Sequence, residues 1–360
     1  MERKILFVKA AAWVYILSVI YSCNKPGTPP NNNTSTNTNT IIDDRVNYTV
    51  STFVGNGMNG IDLLTGGPGQ LYYPSDIAFD LQGNLYIADV YNNRIRKVTP
   101  NGIMTNFAGN TNGGYADGTG TAAQFSRPAA MTIDNQGNLY VGESQGLHIR
   151  KITPNGVVTT IAGNGTAGLV DGIGTAAQIN IPAGIATDPQ GNIYFTQIGF
   201  NGVRKISPSG TVSTFVGSGT PGFVDGNGTV ARFNEPFSIV SDASGNLYIS
   251  DYKNICIRKV TPAGVVSTIL KKTNENEIRR NTYDTQGNFY VVQGDLSVVE
   301  IVKISSSGSI TKIAGGPAGY QDGGGNIAKF GTISGISIGT DGNLYVTDLS
   351  SFTVRKIKKN

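Results

Sequence analysis

One phrase recurs six times along the chain, and no other feature of the sequence constrains the fold so tightly. Its fullest form is FNEPFSIVSDASGNLYISDYKNICIRKVTPAGVVSTI, from Phe233 to Ile269. The Gly-Asn pair inside it marks the register at Asn84, Asn138, Asn192, Asn246, Asn288 and Asn343, in steps of 54, 54, 54, 42 and 55 residues. A period of this length with strand-forming content means a propeller or a solenoid. Each period parses into four short strands. In the second these are Ala130 to Asp134, Leu139 to Gly142, His148 to Ile152 and Val157 to Ala162. Asn135-Gln136-Gly137-Asn138 separates the first two strands and Thr153-Pro154-Asn155-Gly156 the last two. Pro fixes φ and Gly admits positive φ, so both separators are tight turns and the strands form an antiparallel meander. Charged residues at only 14%, with 48 Gly, suit many short strands.

The ends of the chain carry the phase. It enters on a fourth-strand phrase, YTVSTFVG at Tyr48 to Gly55, and leaves on a third-strand phrase, FTVRKI at Phe352 to Ile357. Pairing the two completes a sixth blade and removes the open edges of the ring. The expected fold is therefore all-β: a six-bladed β-propeller of four-stranded antiparallel blades, closed by the N-terminal strand.

The phrases GNLYIAD (Gly83 to Asp89) and NRIRKVTP (Asn93 to Pro100) resemble the signature of the NHL-repeat family. The likeness extends over residues 46–360. It implies a propeller, and for some members RNA binding. Here the charge pattern argues otherwise: Arg96-Lys97, Arg150-Lys151, Arg204-Lys205, Arg258-Lys259, Lys303 and Arg355-Lys356 hold one repeat position and are spread round the ring, forming no patch. The net charge is +4, and +2 without Arg3, Lys4, Lys9 and Glu2 of the leader. Nucleic acid is not an expected partner.

Residues 1–22 read as an export signal, with basic residues followed by an apolar run from Ala10 to Tyr21 that is too short to span a bilayer. Ile20-Tyr21-Ser22-Cys23 resembles a bacterial lipobox, which implies a lipid-modified Cys23 as the first mature residue. The expected address is the bacterial envelope, with the outer membrane favoured and its side left open. Residues 24–45, rich in Asn, Thr and Pro, cannot bury enough apolar surface to order themselves and read as a tether. Cys256 would be the only remaining cysteine, so no internal disulfide is expected.

In such a meander the fourth-to-first and second-to-third connections share one face, the long-loop face. Loops there run from Gly109, Gly163 and Gly217 to Pro128, Pro182 and Pro236. They carry Asp117-Gly118, Asp171-Gly172 and Asp225-Gly226, and Asp322-Gly323 lies in a similar loop. One carboxylate per loop is too few for calcium, so each Asp is expected to staple its own turn. Phe125, Phe233 and Phe330, which follow, are expected to plug the core. Aromatic and amide side chains recur on the same face: Tyr91 with Asn92, Tyr115, Phe200 with Asn201, Phe223, Tyr252 with Asn254, Tyr320 and Phe352. Rings beside amides suit a glycan or protein ligand.

Blade 5 breaks the pattern. Its period is 42 residues, its long loop is missing, and Arg280 takes the inner-strand column otherwise held by Asp76, Ala130, Gly184, Ser238 and Gly335. The expectation is a notch on the long-loop face in which Arg280 either pairs with Asp76 or binds a carboxylate beside it. Enzyme chemistries fare poorly. A single His148 cannot build a multi-histidine zinc site, the inner column lacks the convergent acidic set of a lactonase, and Cys256 with His148 is the sole thiol–imidazole combination. The expected protein is a monomeric, lipid-anchored binding or scaffolding propeller with no cofactor and no metal, recognising a protein or glycan. An exported lactonase- or lyase-like enzyme is the alternative.

Overall fold

A computed structural model describes residues 41–60, 69–271 and 278–360. The leader, Cys23 and residues 24–40 lie outside the described residues, so the lipobox and most of the tether do too. Six sheets, each built on four antiparallel strands, follow one another along the chain. Their innermost strands are Pro74–Phe79, Pro128–Ile133, Pro182–Thr187, Pro236–Ser241, Ile278–Tyr283 and Ile333–Ile338, and they define blades 1 to 6. Closure is by the ends of the chain. Tyr48–Val54 lies antiparallel to Thr353–Lys359, with Val50 opposite Ile357 and Val54 opposite Val354.

The hairpin between first and second strands is built by a local motif. In blade 2, Asp134 Oδ1 accepts from the N–H groups of Gln136 and Asn138, while Oδ2 accepts from Asn138 Nδ2 and the Tyr140 hydroxyl. Asp80, Asp188, Asp242 and Asp284 repeat this in blades 1, 3, 4 and 5, and blade 6 substitutes Asp341 from inside the turn. The turn glycine takes φ of about +80° (Gly83, Gly137, Gly191, Gly245), where a side chain would be strained.

The core lies between blades. Met131, Leu139, Val141 and Ile152 of blade 2 pack with Tyr86, Ala88 and Ile95 of blade 1, and Phe125 from the connecting loop is fully buried in the seam. Phe233 and Phe330 fill the equivalent seams.

The long loops do more than connect. Each lays a two-residue fifth strand on the outer edge of the blade it enters: Gly118–Thr119 on Val157 and Val158, Gly172–Ile173 on Thr211 and Val212, Gly226–Asn227 on Val265 and Val266, and Gly323–Gly324 on Thr49 and Val50. Covering the edge in this way removes a template for strand addition. Blade 5, without a long loop, takes its cover from elsewhere. Ile42–Asp43 pairs in parallel with Thr311 and Lys312, and Arg45 donates to the Gly315 carbonyl at 2.7 Å. Residues 42–45, read from sequence as tether, are therefore built into the propeller.

The loop aspartates also differ from expectation. They bond across the blade and not within their own turn. Asp117 accepts from Arg150 at 2.8 Å and from the N–H and hydroxyl of Thr160, and Asp225 accepts from Arg258 at 2.7 Å and from the same two groups of Thr268. Asp171 meets Arg204 at 2.8 Å, and Asp322 meets Arg355. The arginines of the repeat are thus buried structural cations, none more than 3% exposed. Their lysine neighbours turn outward across tyrosine rings, as Lys151 does over Tyr140 and Lys259 over Tyr248.

Candidate functional site

On the long-loop face one group of rings stands together. Tyr72 and Tyr73 end the loop into blade 1, Tyr91 sits in that blade's second-to-third connection, and Phe352 comes from the same connection of blade 6. Their centroids are 4.6 Å apart for Tyr73 and Tyr91, 4.9 Å for Tyr72 and Tyr91, and 5.6 Å for Tyr73 and Phe352. Arg127, from the loop into blade 2, lays its guanidinium 3.7 Å from the centre of the Tyr91 ring. All five side chains are half-buried. Burial pushes the Tyr91 hydroxyl pKa up, Arg127 opposing it, and pushes the Arg127 pKa down. A stacked cation over clustered rings is a surface suited to planar or sugar-like faces.

Tyr73 and Phe352 have left-handed backbone, at φ of 56° and 54°. Arg127 and Glu235 share the first of these positions, and Asn93, Leu147 and Ile255 the second. The conformation therefore belongs to the repeat, and what sets blades 1 and 6 apart is the rings placed on it.

The other expected residues are dispersed. Tyr115, Phe223 and Tyr320 are exposed by 52%, 42% and 52%, but each lies over its own blade's arginine: Arg150, Arg258 and Arg355. Tyr115 also stacks on His148 at 4.2 Å. Phe200 and Tyr252 are buried. The amides are tied to neighbouring groups: Asn92 donates to the Gly60 carbonyl and the Asp89 carboxylate, Asn254 to the Gly222 carbonyl and the Asp251 carboxylate, and Asn201 donates to the Gly219 carbonyl while accepting from the Glu235 N–H. Tyr72, Tyr73 and Arg127 were not among the expected residues. Their signal was present in the sequence, since the two residues before the inner-strand proline are Tyr-Tyr only in blade 1.

Arg280 and Asp76 both line a second feature, a cavity of about 790 Å³ along the axis. It runs from their column to the exposed hairpins at Asn135, Gln136, Pro189 and Gln190. The expected notch on the long-loop face is therefore wrong in direction. Arg280 lies across the ring with Nη1 on the Ala183 carbonyl at 3.2 Å and its guanidinium 4.5 Å from the centre of Phe237, and the cavity opens on the tight-turn side. Nor do Asp76 and Arg280 form an ion pair. The Asp76 oxygens accept from the N–H groups of Ile77 and Met131, both at 3.0 Å. Burial pushes the Asp76 pKa up with Arg280 opposing, and pushes the Arg280 pKa down with Asp76 opposing.

The groups that could do acid–base or thiol chemistry are tied down. His148 Nδ1 is 3.0 Å from the buried Glu143 carboxylate, which also binds Arg150. Cys256 is fully buried, and burial pushes its thiol up to about 12. Among the described residues no three His, Cys, Asp or Glu side chains gather as a metal set, and no helix is long and apolar enough to cross a membrane.

Fold and faces together define a six-bladed β-propeller with ringed loops on one side and an axial cavity open on the other. The NHL repeat model matches residues 71–98, the stretch holding the first three strands of blade 1. The chain is 28% identical over 234 residues to the protein Suppressor of Quenching 1, chloroplastic, of Arabidopsis thaliana, and 24% over 346 residues to human Teneurin-4. These alignments cover 60% and 81% of this chain, but only 22% and 12% of those much longer proteins. Among solved structures it is similar to an auxiliary nutrient binding protein from Bacteroides ovatus (TM-score 0.61, 18% identity, covering 87% of this chain and 77% of that one). It is also similar to a streptogramin B lyase (TM-score 0.56, 14% identity, covering 87% and 98%). At these identities the likeness speaks to the fold.

Proposed function

We propose that this chain is an exported binding propeller, anchored to the bacterial envelope through a lipid on Cys23, that holds a protein or glycan on its long-loop face. The observation that carries this reading is the cluster of Tyr72, Tyr73, Tyr91 and Phe352 under the guanidinium of Arg127. Loops on a rigid ring of blades are where a propeller can vary its contacts without disturbing the core. Shared architecture with a nutrient binding protein is in keeping with a binding role, and shared architecture with a lyase keeps the enzyme alternative in view. Catalysis would need a poised acid or base, and His148 is held by Glu143 and covered by Tyr115.

Purified full-length protein should bind at least one member of a panel of envelope glycans and outer-membrane proteins. Tyr91→Ala should weaken that binding at least tenfold, about 1.4 kcal/mol, without lowering the melting temperature by more than a few degrees. Equal binding by wild type and variant would sink the assignment of this face. Membrane attachment is tested separately. Cys23→Ser should accumulate as the unprocessed precursor and take up no labelled fatty acid, and a variant still cleaved and retained in membranes like wild type would refute the lipid anchor.

A further inference from the structure

The axial cavity is built differently from the ring cluster, and its contents point to a ligand of their own. Its closed end carries one cation. Arg280 is 6% exposed, and among the described residues only its Nη1 has an acceptor, the Ala183 carbonyl. Phe237 lies against the guanidinium, and the group lines the cavity, so a ligand there can supply an acceptor that the protein does not. Asp76 balances the charge at a distance, but both its oxygens already hold backbone N–H groups.

One tier outward, two residues along each inner strand, the cavity is lined by Ala78, Thr132, Ala186, Val240, Thr282 and Ser337. The hydroxyls of Thr132, Thr282 and Ser337 have no hydrogen-bond partner among the described residues. Three free hydroxyls therefore stand round the axis above one under-satisfied cation. At the mouth are Asp134, Asp188 and Asp242, whose carboxylates are bonded into their hairpins but keep their negative field there. Such a mouth opposes a monoanion far less than a polyanion, because the repulsion scales with the ligand's charge. The volume, about 790 Å³, is ample for a monosaccharide-sized molecule.

We propose that the axial cavity, entered from the tight-turn face, binds a small polyhydroxylated monocarboxylate such as a sugar acid. Its carboxylate meets the Arg280 guanidinium where that group lines the cavity, and its hydroxyls meet Thr132, Thr282 and Ser337. The site is independent of what the long-loop face binds. Arg is suited to the end position because its planar fork matches a carboxylate.

The test is calorimetric titration of the full-length protein with glucuronate, galacturonate and gluconate, each against a neutral counterpart, glucuronamide or glucose. At least one acid should bind, and its neutral counterpart should bind at least tenfold more weakly. Arg280→Gln should lose at least tenfold in affinity for the acid and nothing for the neutral sugar. Should Arg280→Gln fail to fold, Thr132→Trp, which fills the second tier and leaves Arg280 in place, should abolish binding of the acid. The proposal is overturned if none of the three acids binds at millimolar concentration, if acid and amide bind alike, or if both substitutions leave the affinity unchanged. Tyr91→Ala should not alter the titration, which separates failure here from failure of the long-loop reading.

Discussion

Removal of residues 46–55 should abolish the cooperative unfolding transition of the whole propeller. That segment contributes Tyr48–Val54, the fourth strand of the last blade, and three of its side chains, Tyr48, Val50 and Val54, are no more than 9% exposed. Burying each contributes about 1.5–3 kcal/mol, so their loss alone approaches the 5–15 kcal/mol of net stability typical of a folded domain. The loss spreads further, because Thr353–Lys359 then becomes an open edge and Gly323–Gly324 loses the strand it covers. Thermal unfolding followed by circular dichroism would decide the point. A truncated chain that melts cooperatively within a few degrees of full length would show that the ring does not depend on its closing strand. Val50→Asp, which keeps the strand but places a carboxylate opposite Ile357 in the seam, should lower the melting temperature by several degrees.

The second large effect is expected at Arg258. Its guanidinium joins Asp225 at 2.7 Å to Asp251 at 2.8 Å, donates to the Arg232 and Val224 carbonyls, and packs on Phe233. Replacement by Met keeps much of the bulk and leaves Asp251, fully buried, without its cation. Breaking a buried pair in this way costs about 3–5 kcal/mol, or roughly 5–15 °C of melting temperature. Adding Asp251→Asn should recover a large part of the loss by removing the stranded charge. The pH dependence has a definite sign. Burial already pushes the Asp251 carboxyl up, and losing Arg258 pushes it further. An acid whose pKa is higher folded than unfolded stabilises the fold most where it is protonated. The deficit of Arg258→Met should therefore shrink as pH falls from neutral towards acid. A deficit that stays constant with pH, or a variant as stable as wild type, would remove the arginine from its structural role.

Much of this architecture is legible in the sequence because it is written six times. The Gly-Asn register, the hairpin residues and the phase of the two ends are local signals, and closure follows from counting them. Even the tie between loop and blade could have been read. Asp117 to Arg150, Asp171 to Arg204, Asp225 to Arg258 and Asp322 to Arg355 are all 33 residues apart. The site is less legible, for two reasons. A repeat column places Arg280 near the axis but says nothing about which end of the channel its long side chain closes; that depends on Phe237 and the Ala183 carbonyl, contributed by other blades. The ring cluster escaped because it joins residues from three connections of two kinds, on two blades, while comparison of like loops ranks Tyr91 beside Phe200 and Tyr252, which are buried.

The way the N-terminal segment is laid down has a mechanical consequence. Before the chain reaches the strand that seals the ring, it is clasped by the neighbouring blade through Ile42–Asp43, the Asp44 N–H on the Lys312 carbonyl and Arg45 on Gly315. A pull arriving from the direction of Cys23 is taken up first by blade 5, as the collar on a cable takes the tug before the plug feels it. The seam between first and last strands is then shielded from a load applied ahead of residue 42.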